Sequence, residues 1–177
     1  MAVQQLLTPD AILAATVNVG GAVTDIQGLS DGLSTTVPSG NTNVVLAVSF
    51  GSITVGNQTL TGTQSVSIIA RPTQTNANNG QTASGIIQLY ENGTALATTL
   101  SWSLAPQGTP TFGEIGPFTF NPALLSDTSG ANVEIRVIQN SGGQGGGRRN
   151  HPEFDFVQWT ANVGDAVSPG KSRAIWI

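Results

Sequence analysis

Asn132-Val-Glu-Ile-Arg-Val-Ile-Gln-Asn140, Ser141-Gly-Gly-Gln-Gly-Gly-Gly-Arg-Arg149 and Glu153-Phe-Asp-Phe-Val-Gln-Trp-Thr160 together decide how the chain is read. In the first segment Val133, Ile135 and Val137 point to one side and Glu134, Arg136 and Ile138 to the other, the period of a half-buried strand. The second holds five glycines, no apolar side chain and two arginines, so it is a surface connection that no core would accept. In the third, Phe154 and Phe156 share one face while Val157 and Trp159 share the other. A β-bulge near Val157, or burial on both faces, reconciles that conflict. The 131–161 region is therefore read as a β-hairpin carrying a decorated loop.

Working outward, Asn43-Val-Val-Leu-Ala-Val-Ser-Phe50 alternates in the same way. So do residues 64–71, with Val66, Ile68 and Ala70 set against Ser67 and Ile69, until Pro72 stops the strand. Gly85-Ile-Ile-Gln-Leu-Tyr-Glu91 meets residues 94–102 across Asn92-Gly93, and an Asn-Gly pair between two such runs is the strongest short hairpin signal. Shorter strands are expected at 23–26, 52–55 and 118–120, with a capped helical turn at 121–125. Thr8-Pro9-Asp10 before Ala11-Ile-Leu-Ala-Ala15 carries a capping residue, a proline at the first helical position and an early acid, which fits a helical turn or an extended arm. The expected fold is all-β, an antiparallel β-sandwich or jelly roll of about eight strands with one or two short helical turns. It forms one domain over residues 1–177, with an N-terminal arm over 1–20 and a C-terminal arm over 165–177.

Charged residues make up 9% of the chain, against about 25% in ordinary soluble proteins, so Thr, Ser, Asn, Gln and Gly fill the polar positions. Six Lys and Arg against ten Asp and Glu leave a net charge of −4, which argues against a nucleic-acid partner, since phosphate contacts need clustered cations. With no cysteine, disulfides and thiol chemistry are excluded. Residues 1–15 lack the Lys or Arg that opens a secretory signal, and no run approaches the roughly 18 apolar residues of a membrane span. A soluble protein without a leader or membrane partner is expected.

The residues that invite chemistry have plainer readings. His151 beside Pro152 has neither a nucleophile motif to serve nor a second histidine in the chain, and is read as a loop residue. Glu153 and Asp155 imitate the carboxylate pair of a glycosidase, but alternation places two such residues on one face of any half-exposed strand. The glycines at 142–147 lack the Lys-Ser/Thr ending of a phosphate loop and lead into a strand. Asp25, Asp31 and Asp127 with Asn132 lack calcium-loop spacing and are read as turn and cap residues. No catalytic residue, metal ligand or cofactor is expected. The partner contacts expected are Arg148 and Arg149 in the glycine loop and Ile175, Trp176 and Ile177 at the C-terminus. Burying those three apolar side chains is worth roughly 1.5 to 3 kcal/mol each, against about 1 to 2 kcal/mol per ordered backbone residue, so a docked tail needs most of them in a pocket.

Three stretches resemble a family of small structural proteins of tailed bacteriophages and prophages. They are Leu7-Thr-Pro-Asp-Ala-Ile-Leu13 with Gly21-Ala-Val-Thr-Asp-Ile26, then Ile87-Gln-Leu-Tyr-Glu-Asn-Gly-Thr94, then Leu124-Leu-Ser-Asp-Thr-Ser-Gly-Ala-Asn-Val-Glu-Ile-Arg-Val137 with Arg148-Arg149 and Val157-Gln-Trp159. These are fold motifs and carry no catalytic residues. The glycine-rich 141–149 loop and the long C-terminal tail depart from the family pattern. The resemblance implies a virion β-sandwich, and a weakly charged sandwich with apolar ends suits a capsid decoration or cement role on the head exterior, with assembly in the host cytoplasm. Its partners would be the major capsid protein, other virion proteins and further copies of itself, with three-fold assembly preferred because capsid surfaces offer three-fold positions. A tail-associated receptor- or glycan-binding module is the alternative.

Overall fold

In the computed structural model of the chain, residues 3–13, 26–28, 35–36, 44–53, 58–73, 82–105, 107–140 and 152–165 are described. They form twelve strands in two antiparallel sheets packed face to face, the expected all-β sandwich. One sheet has the order β1 (Val3–Leu7), β12 (Pro152–Asp165), β6 (Gln64–Pro72) and β10 (Phe118–Phe120), with β3 (Thr35–Thr36) and β5 (Gln58–Leu60) on β12 and β9 (Gly113–Glu114) on β6. The other runs β2 (Pro9–Ile12), β4 (Val44–Phe50), β11 (Val133–Gln139), β7 (Ala83–Glu91) and β8 (Thr94–Leu104).

The deciding stretch contains both predicted strands, but they are not a hairpin. β11 pairs with β4 and β7, whereas β12 pairs with β1, β3, β5 and β6, so the 141–151 connection leads from one sheet to the other. Each strand buries its apolar face from the opposite side of the core. The predicted bulge is present: the β12–β6 register shifts between Phe154 and Phe156. Asp155 absorbs the extra position, which returns Val157, Trp159, Ala161 and Val163 to the face of Phe154, all fully buried, and leaves Phe156 half-buried on the other side.

Residues 9–12 are not helical. They extend along β4, with Pro9 opposite Phe50 and Ile12 opposite Val48, and Leu13 N–H donates to the Ala47 carbonyl at 2.8 Å. The sheet ladder outcompetes the weak local helix signal, and Pro9 is tolerated because β2 is an edge strand with a register shift between Pro9 and Ala11. The N-terminal residues 3–7 likewise pair with β12, from Val3 opposite Val163 to Leu7 opposite Trp159. The 121–125 turn is as read: Pro122–Leu124 is a 3-10 turn capped by Asn121, whose side chain accepts from Ala123 N–H at 2.9 Å. At the Asn92-Gly93 hairpin both residues have positive φ, 51° and 75°, as a type I′ turn requires. Ser52 and Ile53 are not in a strand, and of the candidate at 23–26 only Ile26, fully buried in the core, lies among the described residues.

The core is centred on Trp159. Phe50 meets it edge-on at 5.6 Å between centroids, and Phe120 lies at 5.8 Å. Its indole Nε1 donates to Gln64 Oε1 at 3.2 Å, and that oxygen also accepts from Asn162 N–H at 3.0 Å. Gln64 Nε2 donates to the Thr61 and Asn162 carbonyls at 2.9 and 3.1 Å, so this buried amide is satisfied at both ends.

Candidate functional site

The predicted contact residues Arg148, Arg149, Ile175, Trp176 and Ile177 lie outside the described residues, as do His151, Asp25 and Asp31. What is described is the frame around the first pair. β11 ends at Gln139 opposite Gly85, near the start of β7, and β12 begins at Pro152 opposite Pro72, the end of β6. Gln139 therefore sits beside the start of β7 in one sheet, and Pro152 beside the end of β6 in the other.

At that end the Arg71 guanidinium makes two parallel bonds to Glu153, Nε to Oε2 and Nη2 to Oε1, both 2.8 Å, and sits 4.4 Å above the centre of the Phe112 ring. Arg71, Pro72, Thr73, Pro110 and Glu153 line a cleft of about 250 Å³. Hydrogen bonding to Glu153 is the main reason the Arg71 pKa is raised; burial opposes it, and the charges of Glu153 and Asp155 add to the rise. Of the two carboxylates that sequence spacing had put on one face, Glu153 is tied to Arg71, while Asp155, at the bulge, is 2% exposed. This is an ion pair braced by an aromatic ring. Because Arg71 is about a third exposed, Arg71→Ala is expected to cost about 1 kcal/mol or less in urea unfolding.

On the outer face of the five-stranded sheet, Arg136 Nη2 binds Glu134 Oε2 at 2.7 Å and its guanidinium lies 3.9 Å from the Tyr90 ring centre. Glu134 Oε1 accepts from Gly93 N–H at 2.9 Å, so the pair also fixes the hairpin tip.

One densely bonded carboxylate is a residue the sequence did not single out. Glu91, at the end of β7 and 7% exposed, accepts from Ser126 N–H at 3.0 and 2.9 Å, from Ser126 Oγ at 2.8 Å and from Asp127 N–H at 2.9 Å. Desolvation pushes its pKa up, but the backbone bonds from Ser126 and Asp127 and the Ser126 hydroxyl bond outweigh it, and the net direction is down. Asp127 in turn accepts from Ser129 N–H at 2.8 Å, a turn-capping bond, and its pKa is lowered chiefly by bonding to Ser129. That is the cap role read from the sequence.

A second cleft, of about 330 Å³, opens beside β10 and is lined by Thr63, Thr98, Thr119, Phe120, Asn121, Ala123 and Leu124. It offers hydroxyls and the 39% exposed Leu124, and no carboxylate or imidazole. Among the described residues there is no group of three His, Cys, Asp or Glu placed to hold a metal ion, and no helix long and apolar enough to cross a membrane. No protein-family model, curated protein or solved structure matches the chain.

Proposed function

We propose that the chain is a non-enzymatic structural protein of a phage virion, a decoration protein that binds the capsid exterior and stabilises the head. The observation that carries this reading is that two of the three stretches behind the phage resemblance meet as one structural clamp. Glu91, in the Ile87 to Thr94 stretch, holds the Ser126 and Asp127 amides of the Leu124 to Val137 stretch. Arg136 of the latter covers Tyr90 of the former. Within that stretch Gly130 lies against Trp159, so closely that a Cβ there would come within 2.9 Å of the indole. These residues thus hold a sandwich together, as expected of a scaffold whose work is to cover a surface. The described ion pairs, Arg71 with Glu153 and Arg136 with Glu134, are spent inside the chain as well.

A weakly charged sandwich suits contact with neighbouring subunits, where each added contact stabilises the assembled shell by mass action. The partners are the major capsid protein, other virion proteins and further copies of this chain. Particles lacking the protein are expected to lose resistance to heat or chelation while adsorbing normally to host cells. Lost adsorption with unchanged particle stability would favour the tail module instead. The threonine-lined cleft supports that second reading, since a glycan site needs hydroxyl partners, but Phe120 is only 3% exposed and offers little ring face for a sugar.

Two segments outside the described residues are assigned contact roles. If Arg148 and Arg149 pair with acidic capsid groups, replacing both with Ala weakens particle binding most at low salt, and unchanged binding at every salt concentration ends that role. Deleting residues 174–177 separates a tail docked on its own sandwich, which lowers the melting temperature, from one docked on a neighbour, which leaves melting normal and abolishes assembly. No change in either measurement ends the arm assignment.

A further inference from the structure

Asn92 and Gly93, at the tip of the β7–β8 hairpin, are both exposed, and no hydrogen bond among the described residues holds the Asn92 side-chain amide. An asparagine followed by glycine carries a reaction of its own, because glycine has no side chain to shield the backbone nitrogen that attacks. The Gly93 nitrogen bonds to Asn92 Cγ and passes its proton, through solvent, to Nδ2, which leaves as ammonia from the cyclic imide that results. Water then opens the imide at either carbonyl, leaving aspartate or isoaspartate at position 92. Either product adds a negative charge. Isoaspartate also lengthens the main chain by one methylene, inside a two-residue turn that sets the β7–β8 register.

In this hairpin the attacking nitrogen is tied down. Gly93 N–H donates to Glu134 Oε1 at 2.9 Å. Arg136 Nε and Nη2 both donate to the other oxygen, Oε2, at 3.1 and 2.7 Å, which leaves Oε1 for the glycine. The Glu134 and Arg136 side chains are 13% and 16% exposed, and the guanidinium rests on the Tyr90 ring, so the carboxylate is held in place. One residue earlier, Asn92 N–H donates to the Asn132 carbonyl at 3.2 Å. Water would satisfy an exposed turn amide without help, so a fixed carboxylate is not required to pair it. We propose that Glu134 guards a latent self-modification site: its bond to Gly93 N–H keeps the Asn92 side chain from closing on that nitrogen while the hairpin is intact.

Two conditions of ring closure are withheld. The nitrogen must be freed of its proton, and here the N–H is engaged in a charge-assisted bond, one of the stronger kinds. The peptide between the two residues must also rotate, and the turn holds φ at 51° and 75° with Glu91 paired to Thr94 behind it. Reaction therefore waits on local opening of the tip, and its rate follows the open fraction. Losing a hydrogen bond to a charged group raises that fraction by at least about tenfold. The guard belongs to the hairpin and does not depend on the virion reading.

Peptide mass spectrometry on the full chain, incubated in mildly alkaline buffer, reads the amide-to-acid change at Asn92 over time. Unfolded in guanidinium, Asn92 and Asn79, the two asparagines of the chain that precede glycine, are expected to react at similar rates. In the folded wild type Asn92 should be slower than in the unfolded chain by about a hundredfold, and Glu134→Ala should recover about tenfold of that. Should the alanine variant not fold, Glu134→Asp keeps a charge beside Arg136 but draws the oxygens back from Gly93 by one methylene. It is expected to speed Asn92 by at least about threefold. Acceleration at Asn92 with Asn79 unchanged is the expected signature, and loosened packing throughout the chain would not give it. Wild-type Asn92 reacting as fast folded as unfolded would overturn the proposal. So would folded Glu134→Asp reacting no faster than wild type, and a slower variant would show that the carboxylate serves the reaction as a base instead of guarding against it.

Discussion

Gly85→Ala is expected to destabilise the protein by about 3 kcal/mol or more, the upper end of overpacking costs, and so to lower the melting temperature by about 6 to 12 °C in a domain of this size. Gly85 lies near the start of β7 opposite Gln139, beside the point where the β11–β4 register shifts between Val137 and Ile138. The Ile138 carbonyl occupies the space a side chain would need: a Cβ on Gly85 would fall 1.8 Å from its oxygen and 2.8 Å from its carbon. Those are backbone atoms, and they cannot swing aside as the end of a flexible side chain can. Relief would require moving β11, whose Val133, Ile135 and Val137 are buried in the core. Gly113→Ala is the matched control, since a Cβ there meets nothing within 4 Å, and its expected change is about 0.5 kcal/mol or less. Thermal melts of both variants check the pair. Equal melting would show that the β7–β11 seam yields at no cost, contrary to the close packing of its backbone.

Alternation carried most of the fold because it reports one physical condition, a face in the core and a face outside. That condition holds along β6, β7 and β11 but not β4, where residues 45–48 are all buried, and even the conflict at 153–160 was informative, since one extra residue at Asp155 is enough to invert the pattern. Alternation does not say which strands pair. The glycine loop joins β11 to β12 whether or not they are neighbours, so a hairpin and a crossing between sheets look alike in the sequence, and only the opposite sheets of the core distinguish them. Strands of two or three residues such as β3, β5 and β9 are too short to display a period. Residues 9–12 carried capping signals that count only where no ladder competes, and β4 supplied one. Gly85 was legible in principle, because a lone glycine in a strand pattern marks a bulge or a close backbone approach. The Glu91 clamp was not, because its donors are mainly main-chain amides 35 and 36 residues further along, and any residue except proline provides such an amide.

That clamp gives the other large effect. Glu91→Ala removes the acceptor for the Ser126 and Asp127 amides and the Ser126 hydroxyl, and each buried donor left unpaired costs about 1 to 3 kcal/mol. Ser126 is exposed enough for water to recover part of this, so a loss of about 2 to 4 kcal/mol is expected in urea unfolding at neutral pH. Glu91→Gln keeps one oxygen but turns an N–H₂ toward those donors, and about half that loss is expected. The charge is the active part, and its sign makes the effect depend on pH. The folded-state pKa of Glu91 lies below its unfolded value of about 4.3, so its contribution is fully present above that pH and disappears as the pH falls through the folded-state value. Asp127 is shifted in the same direction and adds to the acid sensitivity of the same turn. Wild type and Glu91→Gln should therefore differ most at neutral pH and converge in strongly acidic solution, whereas a loss caused by altered shape alone would be the same at every pH. Urea titrations of both proteins across the acidic range separate these outcomes, and a constant difference would show that the carboxylate charge does not hold the 126–130 turn on β7.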